Sequence, residues 1–104
     1  MANTPYAGLN LQIAISGTAV PVAPANVSGG YIVNPLSAVD QGLGSAEPLY
    51  VDVVGACAAT QGNGTIVSLA PGQEFDLPPG LANQVWANAV SSGHKFTCVY
   101  YLSS

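Results

Sequence analysis

The chain has 104 residues, enough for one domain, and 49% of them are hydrophobic, which excludes a disordered polymer and allows a modest core. Only 6% are charged, against roughly 25% in ordinary soluble domains. One basic residue, Lys95, against five acids and a net charge of −4 leave no cationic footprint for phosphates, so nucleic acid is excluded as a partner.

The elements follow in chain order. Residues 1–8, with Pro5 and Tyr6, read as an extended N-terminal arm able to pair with an adjacent subunit. Residues 9–16 place Leu9, Leu11, Ile13 and Ile15 on one side at period 2, which predicts a half-buried strand. Pro21 and Pro24 then punctuate a Val/Ala segment, an edge strand or an extended arm. Ser28-Gly29-Gly30 is a turn before a short strand, Tyr31-Ile32-Val33, which Asn34-Pro35 breaks. Residues 34–48 are rich in Gly, Ser, Ala and Pro and read as a long ordered loop.

Leu49 to Val54 is the next strand. Asn63-Gly64 is the pair favoured in two-residue hairpin turns, and Thr65 to Leu69 is the expected partner strand. Pro71-Gly72 fits a type II turn. Glu74 to Leu77 alternates with Phe75 and Leu77 inward. Gln84 to Ala89 puts Val85, Ala87 and Ala89 on one face and Gln84, Trp86 and Asn88 on the other. Residues 95–102 form the last strand. About eight short strands with frequent turn signals predict an all-β fold, a small antiparallel β-sandwich or jelly-roll-like barrel, in a single domain over residues 1–104. No window predicts a convincing helix.

No chemistry-bearing constellation stands out. His94 is the single histidine and sits at a turn, where a hydrogen bond to a neighbouring loop is its ordinary role; no G-x-S-x-G elbow accompanies it. Glu74 and Asp76 are two apart on one strand and share a solvated face, which does not build a glycosidase cleft. Asp40, Glu47 and Asp52 do not match the calcium-loop spacing. Catalytic, cofactor and metal residues are therefore expected to be none, and the chain is not expected to be an enzyme. Asn26-Val27-Ser28 and Asn63-Gly64-Thr65 match the glycosylation sequon by chance in a Ser/Thr/Asn-rich chain. No apolar run reaches membrane-span length, and the N-terminal residues lack the basic start and apolar stretch of a signal peptide. Synthesis in a cytoplasm, or processing before this numbering begins, with no membrane partner, is the expectation.

Cys57 and Cys98 leave three states open: free thiols, one intrachain disulfide, or links between chains. Cytoplasmic synthesis favours thiols. Trp86 points away from the aliphatic face of its strand, and both faces of the last strand are apolar enough to be covered. Trp86, Tyr50 and Tyr101 are the candidate interface residues, because Trp and Tyr bury large area with a polar handle. The other placement for Trp86 is a cap on an open end of the sandwich.

Ile32-Val33-Asn34-Pro35, Ala46-Glu47-Pro48-Leu49-Tyr50-Val51-Asp52, Leu69-Ala70-Pro71-Gly72 with Leu77-Pro78, and Val85-Trp86-Ala87-Asn88-Ala89 leading to Ser92-Gly93-His94-Lys95-Phe96 carry a resemblance. Over about two thirds of the chain this texture resembles small accessory structural proteins of tailed-bacteriophage virions, of the head-decoration or fibre-like kind. The resemblance implies a virion protein made in the host cytoplasm, whose partner is the major capsid protein or another virion protein, and which assembles as a homo-oligomer. A charge-poor surface covered by neighbours accords with it. The alternative is a small carbohydrate-binding β-sandwich that uses Trp86 with Tyr50 or Tyr101 as a stacking platform.

Overall fold

The structure is a computed structural model, and it describes residues 3–59 and 65–103. Within these, the chain forms strands β1 (Asn3–Ala7), β2 (Gln12–Ile13), β3 (Val20–Ala23) and β4 (Gly29–Val33), a one-turn helix α1 (Ala38–Gln41), then β5 (Leu49–Asp52), β6 (Ile66–Leu69), β7 (Glu74–Asp76), β8 (Val85–Asn88), β9 (His94–Lys95) and β10 (Thr97–Ser103). One sheet runs β1-β10-β4-β7 and the other β3-β8-β5-β6, with β2-β9 as a short separate ladder; every pairing is antiparallel. This is the all-β antiparallel sandwich that the alternating pattern predicts.

The core lies between the two four-stranded sheets. Ile13, Val22, Ile32, Leu49, Val51, Val85, Ala87 and Ala89 are wholly buried, with Leu69, Leu77, Phe96, Cys98 and Tyr100 around them. Burying each large side chain contributes about 1.5–3 kcal/mol against leaving it in water. Alternation on β8 is clean: Val85 and Ala87 enter the core, while Trp86 and Asn88 face outward.

Four expectations change in detail. Residues 3–7 pair with β10 of the same chain as the edge strand β1, rather than standing off as an arm. Residues 9–16 are not one strand. The chain turns a corner there: Gly8 N–H donates to Cys98 O on one sheet, and Leu9 N–H to Val22 O on the other. Only Gln12 and Ile13 join a ladder, so Ile13 is buried while Leu9, Leu11 and Ile15 are 51%, 41% and 64% exposed. The last strand is split at Phe96, whose N–H donates to Leu11 O, so that β9 pairs with β2 and β10 with β1 and β4. The long loop holds one helical turn, which starts where Ser37 Oγ accepts from Asp40 N and stops at the left-handed Gly42. The Asn63-Gly64 turn lies outside the described residues.

Candidate functional site

The outward face of the second sheet gathers Tyr50 and Asp52 of β5 with Trp86 and Asn88 of β8, because Tyr50 pairs with Asn88 and Asp52 with Trp86. Trp86 and Tyr50 are half-buried. The segment after β5 folds back over part of this face: Asn88 Nδ2 donates to Cys57 O at 2.8 Å, and Cys57 Sγ donates to Tyr50 O at 3.6 Å. Asp52 is buried and occupied, its two carboxylate oxygens accepting from Val54 N at 2.9 Å and Thr65 Oγ1 at 3.0 Å. Tyr101 is not part of this group. It lies on β10, on the outward face of the other sheet with Val99 and Tyr31, so the sandwich separates it from Trp86 and Tyr50.

Cys57 and Cys98 are free thiols and both are buried. Cys98 belongs to the core between the sheets and donates to Val22 O. Cys57 lies on the outward side of the second sheet, against Tyr50 and Asn88. The intrachain Cys57–Cys98 disulfide is therefore not formed, and the sheet itself stands between the two sulfurs. Burial pushes both thiols up to about 11.

A polar cluster that sequence reasoning missed closes one end of the sandwich. Asn34, Gln41 and His94 are wholly buried. Asn34 Nδ2 donates to Glu47 O and Leu69 O, both at 2.9 Å. Gln41 Nε2 donates to Asn34 Oδ1 at 3.0 Å and Pro35 O at 2.8 Å, while Gln41 Oε1 accepts from Glu47 N at 2.8 Å. His94 Nε2 reaches Asn34 Oδ1 at 2.8 Å, and Ser91 Oγ donates to Glu47 Oε2 at 2.8 Å. Burial holds the His94 pKa below its ordinary value, partly opposed by the Glu47 carboxylate. His94 thus does bond the neighbouring loop. The available signal was Asn34-Pro35, which reads locally as a strand breaker and gives no hint of a buried hub.

Glu74 and Asp76 are exposed on the edge strand β7. Among the described residues no pocket opens, no three His, Cys, Asp or Glu side chains gather as metal ligands, and no helix is long and apolar enough to cross a membrane. Of their charged side chains, the exposed ones are Asp40, Glu74, Asp76 and Lys95. Large apolar side chains stand in solvent instead: Leu9, Leu11, Ile15, Leu36, Val39, Val54 and Val90 are each more than two-fifths exposed. Comparison with family models, curated proteins and solved structures gives no match.

Proposed function

We propose that the chain is a structural protein of a tailed-phage particle, a capsid decoration protein that binds the head lattice as a homo-oligomer. The observation that carries this reading is the surface. Eight large aliphatic side chains are exposed beside only four exposed charges among the described residues. A free monomer leans on surface charge to stay dispersed. A lattice protein has its surface covered by fixed neighbours.

A second reading keeps one specific support. Trp86 and Tyr50 share an outward sheet face on adjacent strands, which suits stacking against a sugar ring. Tyr101 drops out of that platform because it faces the other way.

Mass determination of the purified chain, alone and on its parent particle, tests the first reading. A homo-oligomer that is retained on washed particles supports it. A monomer that is absent from particles and whose Trp fluorescence shifts with glycans replaces it with the second.

A further inference from the structure

The 34–48 loop spans from β4 to β5 with one helical turn of its own. Backbone bonds hold its first residue, Asn34 N–H donating to Gln73 O and Asn34 O accepting from Gly72 N, and side chains tie down the rest: Asn34 Nδ2 on Leu69 O, His94 Nε2 on Asn34 Oδ1 and Ser91 Oγ on Glu47 Oε2. The side-chain cluster around Asn34 fixes the protonation of His94 by geometry. The Asn34 amide nitrogen is committed to the carbonyls of Glu47 and Leu69, so Oδ1 is the atom that faces His94 and Gln41. An acceptor at 2.8 Å requires His94 Nε2 to carry the hydrogen. His94 Nδ1 is then a bare lone pair, buried and without a partner, as is Glu47 Oε1.

We propose that His94 is an acid-operated latch: protonation of its bare Nδ1 releases the 34–48 loop from the end of the sandwich. The proton comes from solvent and stays on the ring, and no other covalent bond changes. In the closed state an imidazolium would be wholly buried, and its new N–H would point where no acceptor is bonded to it. In the open state it is hydrated. Few charges offset that difference. Glu47 is the one charged group the loop brings into the cluster. Asp40 on α1 and Lys95 on β9 are both exposed, and β2 and β6 bring no charge. The lowered His94 pKa accords with this, burial outweighing the attraction of Glu47.

The sign is fixed by linkage. The closed state holds the group neutral and the open state returns it to its ordinary value near 6.5. Opening is therefore pH-independent above that value. Below it, opening grows by up to about tenfold per pH unit until the closed-state pKa is crossed. Between pH 7.5 and 5.0 the opening equilibrium rises by up to about thirtyfold.

Amide hydrogen exchange of the full chain at pH 7.5 and 5.0, corrected for intrinsic rates, tests the latch. Residues 34–48 and 91–96 should lose protection at pH 5.0 while Val51 and Val85 keep theirs. His94→Gln retains a donor for Asn34 and removes the titration, so its loop should respond to pH far less. Glu47→Gln should leave the acid response in place. Equal loop protection at both pH values in the unmodified chain overturns the proposal, as does an undiminished response in His94→Gln or its loss in Glu47→Gln. If His94→Gln does not fold, nitrogen NMR of the unmodified imidazole decides. A ring titration that coincides with loop opening supports the latch, and one that does not coincide overturns it.

Discussion

The second sheet stands between Cys57 and Cys98, with Cys98 in the core against Val22 and Cys57 outside against Tyr50 and Asn88. A disulfide needs Cα atoms roughly 4.4–6.8 Å apart with converging Cβ vectors, and an intervening layer of backbone denies both. The native thiols are buried, with pKa values pushed up to about 11, so little thiolate exists at pH 8. Native protein should react slowly with a thiol reagent. Denatured protein should yield two thiols per chain with or without prior reduction. A reductant-dependent count would overturn this arrangement.

Gly30 holds a backbone conformation, φ +149°, that side-chain-bearing residues rarely adopt. A Cβ there would collide with the Val99 carbonyl oxygen and stand 2.7 Å from Tyr100 Cα. The same stretch of β10 supports the stack of Tyr6 on Tyr100, with ring centroids 5.5 Å apart. Gly30→Ala should cost about 2–4 kcal/mol in denaturant unfolding. Gly55→Ala, where nothing lies within 4 Å of the added carbon, should fall within about 0.5 kcal/mol of the unmodified chain. Equal costs at the two positions would show that the Gly30 strand is not held as described.

Val85 and Trp86 are chain neighbours with opposite environments, one wholly buried in the core and the other half-buried on the outward face. Val85→Ala should lower folding stability by about 1–3 kcal/mol while leaving assembly of the folded protein intact. Trp86→Ala should do the reverse, weakening oligomer or particle binding by about 2 kcal/mol or more. Sedimentation paired with thermal melts separates the two. A Trp86→Ala protein that assembles normally but melts much earlier makes Trp86 part of the monomer's own packing.

The strands were legible where side-chain alternation coincides with a long ladder. Val85 to Asn88 and Leu49 to Asp52 read correctly because each is flanked by strands on both sides, so one face had to be apolar. Leu9 to Ile15 has the same alternation, yet pairs over two residues only. Periodicity states which side chains lie together, and it does not state whether a sheet arrives to cover them. The polar cluster was illegible for a related reason. His94 is sixty residues from Asn34, and the two amide side chains, Asn34 and Gln41, are of a kind commonplace in loops. Their convergence depends on where the loop lands. Trp86 and Tyr50 could be placed together from strand parity, whereas Tyr101 required knowing which sheet β10 joins.

Asn34 is the hub whose loss reaches furthest. Its Nδ2 satisfies the carbonyls of Glu47 and Leu69, and its Oδ1 serves Gln41 and His94. Asn34→Ala removes both ends at once. Leaving one buried group unsatisfied costs about 1–3 kcal/mol, and the losses within a network are not additive. A total near 3 kcal/mol or more is expected in urea unfolding. Asn34→Asp tests direction as well as size. It keeps the shape and an acceptor for His94, but it turns a carboxylate oxygen toward the two carbonyls that Nδ2 had satisfied. Acceptor then faces acceptor in a site without water access. At pH 7 Asn34→Asp should be at least as damaging as Asn34→Ala, despite being closer in shape. Space-filling alone would predict the opposite order. If Asn34→Asp proves the milder change, the amide orientation is reversed, and the assignment of the hydrogen to His94 Nε2 falls with it.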